Sequence, residues 1–130
     1  AQARKPGNAA SPSSLAATRA LNWMEPVAAW SKAQKENKPL LLYFYGSGLP
    51  GSERMDNILA TNPSARQFLQ NHVAARVDVN QLQGSVIARQ YEVYKVPTLL
   101  VISPDARSYR RVVPAPTDTW EIIAPQLKLP

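Results

Sequence analysis

The stretch from Phe44 to Met55, FYGSGLPGSERM, has the layout of a reactive loop. An apolar run is followed by small residues, then by a proline and a glycine, and then by a helix start. Nothing in it is an obvious reagent, because the hydroxyl of Ser52 is a weak nucleophile without an assisting base. The loop therefore predicts either an unusual active site or a site whose chemical groups have been replaced.

The rest of the chain supplies few catalytic groups. It contains no cysteine, which excludes disulfide bonds, thiolate nucleophiles and cysteine-based metal sites within this chain. Its single histidine, His72, is expected at the end of a helix, where a cationic or hydrogen-bonding side chain is favourable. The nine acidic residues are dispersed and form no convincing acid–base pair. We therefore predict no catalytic, cofactor-binding or metal-binding residues.

Size and charge limit the remaining classes of function. The 130 residues, 45% hydrophobic and 18% charged, fit one globular domain with one core. The net charge is +6, and three arginines lie close together near the end, Arg107, Arg110 and Arg111. A basic chain can bind nucleic acid, but no basic run here is interleaved with aromatic residues, so we expect no nucleic acid partner. No apolar run approaches the length of a membrane span, so we expect no membrane insertion.

The chain divides into a tail and a domain. Residues 1–20 are rich in Ala, Pro and Ser and poor in large apolar residues, so they cannot bury enough surface to order themselves. We predict a flexible N-terminal tail over residues 1–20 and a folded domain over residues 21–130. The start AQA fits either the end left by a removed signal peptide or an arbitrary boundary.

Hydrophobic spacing and turn residues divide the domain into helices and strands. In chain order we predict a helix over 25–36, a strand over 40–45, helices from 52 and over 63–72, a strand over 73–80, a helix over 84–93, strands over 96–103 and 108–113, and a helix over 117–127. This alternation predicts an α/β fold, with a central mixed β-sheet flanked by helices on both faces.

Local patterns add four expectations about side chains. Helical spacing places Val27 on the inner face of the first helix, and Val86 in the core beneath a later one. Ser52 or Gly51 is expected to cap the second helix, and Thr117 to cap the last.

Four segments of the chain resemble the bacterial thioredoxin-like family. They are KENKPLLLYF, GSGLPGSERM at the place of the family motif W-C-G-P-C-K-x-M, VAARVDVN, and YEVYKVPTLLVISPD. The similarity covers roughly residues 23–127, and its most specific part is Val-Pro-Thr after an alternating Val-Asp-Val strand. The resemblance implies a thioredoxin-like fold. It also implies that Pro97 follows a cis peptide bond and that Val96 presents its backbone to a polypeptide, which pairs like an added strand.

The resemblance does not extend to the redox groups of the family. Leu49 stands at the place of the attacking cysteine, Ser52 at that of the resolving cysteine, and Gly48 at that of the preceding tryptophan. Tyr43 stands at the place of the buried carboxylate that assists proton transfer in many thioredoxins. Because thiol–disulfide exchange needs an attacking thiolate, we predict a redox-inactive protein.

The first functional hypothesis is therefore a non-covalent protein-binding or accessory module. Its binding patch is expected to comprise Gly48, Leu49, Pro50, Tyr94, Val96 and Pro97. Alternatively, the loop only leads into the helix, and binding occurs elsewhere on the domain.

Two other functions stay open. The domain can be a structural subunit, docked on an acidic partner through Arg107, Arg110 and Arg111 and tethered by its tail. The third hypothesis is a glutathione-transferase-like enzyme that uses the hydroxyl of Ser52 or Tyr45. The 130 residues are too few to include the helical substrate domain of such enzymes. By resemblance we expect an exported, periplasmic protein. The sequence leaves the partner and the oligomeric state open.

Overall fold

The structure, a computed structural model, describes residues 23–130. The tail predicted over residues 1–20 lies outside the described residues. The described chain begins with Trp23, which is half-buried and packs against the hydrophobic core.

Helices and strands alternate along the described chain in the predicted order. They are helix α1 (Pro26–Glu36), strand β1 (Leu40–Tyr45), helices α2 (Pro50–Thr61) and α3 (Pro63–Gln70), strand β2 (Val73–Asp78), helix α4 (Leu82–Gln90), strands β3 (Thr98–Ile102) and β4 (Tyr109–Val112), and helix α5 (Trp120–Ile123). The chain continues from α5 directly into a 3₁₀-helix, Ala124–Leu127.

The four strands form one mixed sheet in the order β2-β1-β3-β4. Strand β1 pairs parallel with β2 and antiparallel with β3, and β4 pairs antiparallel with β3. Strands β1 and β3 lie in the middle, and their residues are buried except for the half-buried Tyr45. A strand covered on both faces needs apolar side chains in both directions, which explains the unbroken runs LLLYFY and TLLVI.

Helices cover both faces of this sheet, as predicted. Successive strand residues point to opposite faces, so Leu41 and Tyr43 enter one core cluster while Leu42 and Phe44 enter the other. The first cluster includes residues of α2, α3 and α5, and the second includes residues of α1 and α4.

Two predicted core contacts are wrong, because the helices turn smaller residues toward the sheet. Val27 is 72% exposed, and α1 buries Ala29 and Ala33 instead. Val86 is 38% exposed, and α4 approaches the sheet through Gly84. The side chains that these helices bury fully are therefore small, and Trp30 of α1 and Ile87 of α4 pack at the margin of the core.

Helix α3 has a side-chain cap, and the cap predicted for the last helix is wrong. Asn62 begins α3, and its amide oxygen accepts hydrogen bonds from two backbone N–H groups of the first turn. Thr117 is not the cap of the last helix, because α5 begins after Thr119. The preceding residues form a turn instead, in which the N–H of Asp118 donates to the carbonyl of Ala115 and the Asp118 carboxylate accepts from the Ala115 N–H.

His72 lies just beyond the end of α3, as predicted for a histidine at a helix end. Its ring stacks on Phe68 with 3.9 Å between the ring centroids, and its Nδ1 lies 2.7 Å from the Phe68 carbonyl oxygen. Burial lowers the pKa of His72 from its usual value, more than the hydrogen bond to Phe68 raises it. The folded protein therefore favours the neutral imidazole.

Acidification is expected to weaken the fold through His72. Because its pKa is lower in the folded chain, the unfolded chain binds more protons below about pH 6.5, and the free energy of unfolding falls as the pH drops. Urea unfolding at about pH 7.5 and about pH 5.5 measures this change. The variant His72→Gln should lose that part of the pH dependence. The same change in the free energy of unfolding between the two pH values in both chains would contradict the assignment.

Gly84 marks a close approach between α4 and β2. A Cβ added there would lie 1.9 Å from the backbone oxygen of Asp78. We therefore expect Gly84→Ala to lower the free energy of unfolding by about 1–3 kcal/mol, as overpacking does. The neighbouring exposed Gln83→Ala is the control and should stay within about 0.5 kcal/mol of the natural chain. Equal stability of the two variants would show that α4 moves away without cost.

Candidate functional site

The candidate loop leads from β1 into the first turn of α2. Gly48 has a φ of +80°, a left-handed conformation that glycine adopts without strain. The helix begins at Pro50, which suits a first helical position, and Leu49 is the N-cap without a side-chain hydrogen bond. The predicted cap by Ser52 or Gly51 is therefore wrong, because the helix starts before either residue.

Ser52 ties the start of α2 to the end of β1. It is 2% exposed, its Oγ accepts the Gly46 N–H at 3.0 Å, and its carbonyl accepts the Tyr43 hydroxyl at 3.0 Å. The serine that stands at the place of the resolving cysteine thus satisfies a buried backbone donor. Its hydroxyl is enclosed and already bonded, which does not favour a role in catalysis.

Tyr43 lies beneath this joint, fully buried in β1. Burial raises the pKa of Tyr43 far above its usual value, and the nearby Asp56 carboxylate raises it further. The position that the resemblance assigns to a proton-transferring carboxylate therefore holds a neutral phenol. Its role in this structure is to donate the hydrogen bond to Ser52.

A charged pair that none of the sequence patterns predicts lies next to Tyr43. Arg76 Nη2 is 3.5 Å from Asp56 Oδ1, and the guanidinium lies 4.2 Å from the centroid of the Tyr45 ring. Burial raises the pKa of Asp56, against the lowering effects of the Tyr43 hydroxyl and the Arg76 guanidinium. The sequence offers only a partial signal, the charged Arg76 within an otherwise apolar strand, and it does not identify Asp56 as the partner.

The Val96–Pro97 peptide bond is cis, as the resemblance implies. Pro97 is buried and Val96 is half-buried, directly before β3. The Thr98 hydroxyl donates to the Lys95 carbonyl at 2.6 Å across this turn. A Cβ added to Gly51 would lie 3.2 Å from Cδ of Pro97, so the first turn of α2 contacts the proline.

The backbone of Val96 has open hydrogen-bonding groups. Neither its N–H nor its C=O bonds to any of residues 23–130. Backbone groups of this kind are satisfied by water or by an incoming chain, and an extended segment that pairs with them forms an added strand.

A groove of about 660 Å³ lies beside Val96 and Pro97. Most of its lining is apolar and comes from α2, from the turn before β3 and from the segment after β4. The apolar residues include Pro50, Met55, Ile58, Val96, Pro97, Val113 and Pro114. Arg54, Lys95 and Asp118 add polar groups to the lining. The groove offers room for apolar side chains next to the open backbone of Val96.

Arg54 holds the far wall of the groove in place. Its Nε donates to the Pro116 carbonyl at 2.5 Å, and its Nη2 donates to the Asp118 carbonyl at 2.8 Å. These bonds join α2 to the segment between β4 and α5, which contributes the proline-rich wall.

The structure brings together only part of the predicted patch. Pro50, Val96 and Pro97 line the groove. Tyr94 is 80% exposed and lines a separate cleft of about 400 Å³, which shares Lys95 and Val96 with the groove. Lys95 and Val96 therefore connect the two concave surfaces.

Gly48 and Leu49 do not line the groove. The side chain of Leu49 folds over Gly46, where an added Cβ would lie 2.5 Å from Leu49 Cδ1. Leu49 is still 45% exposed, so it adds an apolar contact on the loop itself and not inside the groove.

The three arginines of the predicted docking surface do not form one cluster. Arg110 and Arg111 are neighbours in β4, so their side chains project from opposite faces. Arg110 Nε donates to the Lys128 carbonyl, and Arg111 Nη2 donates to the Tyr91 carbonyl at the end of α4. Arg107 lies in the exposed turn before the strand.

Neither a metal-binding cluster nor a membrane-spanning helix is present in the described part of the chain. Residues 23–130 hold no group of three or more histidine, aspartate or glutamate side chains arranged to bind a metal ion. No helix in this part of the chain is long and apolar enough to cross a membrane.

Solved structures with the same arrangement carry thioredoxin-related names. A thioredoxin from Thermus thermophilus is similar with a TM-score of 0.66 and 23% identity, over 80% of this chain and 82% of that one. DsbH oxidoreductase has a TM-score of 0.68 and 17% identity, over 96% and 90%. A putative disulphide-isomerase from Bacteroides thetaiotaomicron has a TM-score of 0.63 and 22% identity, over 79% and 85%. No family model and no curated protein sequence matches the chain.

These comparisons show that the chain has the thioredoxin-like fold, as the resemblance implies. Identities this low establish the fold, while activity has to be argued from the site. With no cysteine, the chain lacks both the Cys-x-x-Cys motif and the thiolate that thiol–disulfide exchange needs.

Replacing Ser52 by alanine tests its structural role. The substitution leaves the buried Gly46 N–H without its acceptor, so the free energy of unfolding should fall by about 1–3 kcal/mol. Ser85→Ala removes a serine hydroxyl from a less buried helical site and should change stability by no more than about 0.5 kcal/mol. Equal effects of the two substitutions in urea unfolding would contradict the role given to Ser52.

Proposed function

We propose that the protein is a redox-inactive binding module, and not an enzyme, that holds an extended segment of another protein without a covalent step. One observation carries the proposal: the unpaired backbone N–H and C=O of Val96, within residues 23–130, lie beside an apolar groove of about 660 Å³. Backbone pairing gives a segment its direction, and the groove selects its side chains.

The bound segment is expected to pair with Val96 as a short added strand. One of its apolar side chains would enter the groove between Ile58 and Val113. Burying such a side chain contributes about 1.5–3 kcal/mol, and each backbone hydrogen bond about 0.5–1.5 kcal/mol. Since association itself costs several kcal/mol, the complex should be reversible and depend on few contacts.

The composition of the site supports binding over catalysis. The groove is lined by prolines and aliphatic side chains, with Arg54 bonded to two backbone carbonyls. A transferase-like role for Ser52 is disfavoured, because its hydroxyl is buried and accepts the Gly46 N–H. The ring of Tyr45 lies under the Arg76 guanidinium, and burial raises its pKa, which disfavours a phenolate there.

The structural-subunit hypothesis remains the second candidate. It is favoured by the exposure of Arg107, Arg110 and Arg111, which form no ion pair with any other residue in 23–130. Under this hypothesis, substitution of these arginines and added salt both weaken association with the partner. Substitutions in the groove do not. An exported, periplasmic location is part of both candidates and rests on the resemblance to bacterial thioredoxin-like domains.

A charge placed in the groove should weaken peptide binding. Extended peptides selected from a display library on the natural protein would be synthesised and their affinity measured by calorimetry. Val96→Asp should weaken binding at least about tenfold, equivalent to about 1.4 kcal/mol, because Val96 lines the groove and an aspartate there meets apolar walls.

Two control variants locate the site. Val86→Asp lies on the exposed side of α4 and should bind as the natural protein does. Leu49→Asp tests whether the peptide contacts the loop instead of the groove. Because Leu49 does not line the groove, this substitution should have a small effect. Full affinity in a folded Val96→Asp protein, or a larger loss from Leu49→Asp, would reject the groove.

A further inference from the structure

The hydrogen-bonding pattern of the β3–β4 hairpin fixes the direction of each backbone group in β4. The Ser103 N–H donates to the Ser108 carbonyl at 2.9 Å, which makes these two residues a hydrogen-bonded pair. Hydrogen-bonded and non-bonded pairs alternate along an antiparallel ladder. By this alternation, the backbone N–H and C=O of Arg110 point toward β3. The N–H and C=O groups of Tyr109 and Arg111 point away from the sheet.

This outer side of β4 is open in the described structure. Strand β4 is last in the sheet order, and outside the ladder the backbone of Tyr109 and of Arg111 bonds to none of the residues from 23 onward. Tyr109 is 63% exposed, and both arginines of the strand are exposed. Unpaired groups on an exposed edge form a template for another strand.

A cavity of about 360 Å³ adjoins the open edge. Tyr109 and Arg111 line it together with Trp30, Leu100 and Ile102. Tyrosine, tryptophan and arginine are the residue types that dominate binding energy at protein interfaces. A strand added to β4 would therefore have a place for one apolar side chain beside Tyr109.

The charge of the edge is positive and uncompensated by ion pairs. Arg107, Arg110 and Arg111 form none with any residue in the range 23–130. Arg110 and Arg111 donate only to backbone carbonyls, which leave the charge in place. The carboxylate of Asp105, in the turn, accepts from the Ser103 hydroxyl and the Arg107 backbone N–H.

The same charge disfavours pairing with a second copy of this chain. Two-fold antiparallel pairing centred on Arg110 places Arg110 opposite its copy, and pairing centred on Arg111 does the same for Arg111. Pairing centred on Tyr109 places Arg107 opposite Arg111. Like charges directly opposite each other are destabilising, so the edge favours an acidic strand over itself.

We propose that the open edge of β4 binds an extended acidic segment of another protein by strand addition. In an antiparallel partner, acidic residues lie opposite Arg110 and Arg111, and an apolar residue lies opposite Tyr109 above the cavity. This site is separate from the open backbone of Val96, and it gives the basic surface a defined partner chemistry.

The test uses capped hexapeptides and amide chemical shifts of the whole chain. TEEVTV supplies two acids and then a valine in the antiparallel order, and TQQVTV is its uncharged control. Binding of TEEVTV should shift the amides of Tyr109 and Arg111, weaken with added salt, and exceed the affinity for TQQVTV at least tenfold. Equal affinities, no saturable shift at millimolar peptide, or shifts centred on Val96 would each overturn the proposal.

A matched pair of variants separates strand addition from simple charge attraction. Tyr109→Pro removes an N–H that points to solvent and leaves the ladder to β3 intact. Tyr109→Val removes the same ring and keeps the N–H. We expect Tyr109→Pro to lose TEEVTV binding and Tyr109→Val to retain most of it. Retained binding in a folded Tyr109→Pro protein would overturn the strand-addition proposal.

Discussion

The buried joint at Ser52 is the constraint on which the candidate site depends. Ser52, in the first turn of α2, accepts two hydrogen bonds. Its Oγ accepts the Gly46 N–H and its carbonyl oxygen accepts the Tyr43 hydroxyl, both at 3.0 Å. These bonds fix the first turn of α2 to the end of β1 and leave Gly51 against Pro97. The groove between that turn and the segment after β4 follows from this arrangement, since its shape requires both walls to be fixed. A buried donor that needs an acceptor thus explains why a hydroxyl is kept in a site without redox groups.

Much of the fold could be predicted because its signals are local or repeat with a clear period. Unbroken apolar runs predict the central strands β1 and β3. The cis bond before Pro97 is different, because periodicity does not specify it and only the family resemblance predicted it. The four-stranded mixed sheet then followed from the order of the elements.

The remaining features depend on tertiary distances that a linear pattern does not contain. Hydrophobic spacing places Val27 on the inner face of α1, but the structure buries Ala29 and Ala33 and leaves Val27 72% exposed. Leu49 was expected beside Val96, yet the turn folds it over Gly46. Asp56 and Arg76 are distant in sequence and meet only because the parallel pairing of β1 and β2 sets Arg76 beside Tyr43.

Arg54 holds one wall of the groove through backbone atoms of that wall and not through its side chains. It grips the far wall through the carbonyl oxygens of Pro116 and Asp118, and every amino acid supplies such an oxygen. Side chains along that wall, apart from Asp118, whose carboxylate accepts the Ala115 N–H, can therefore be exchanged without loss of this anchor. Under the proposed function, the wall could then vary in the segments it selects while the frame stays the same, and this makes the wall a place to vary in an engineered binder.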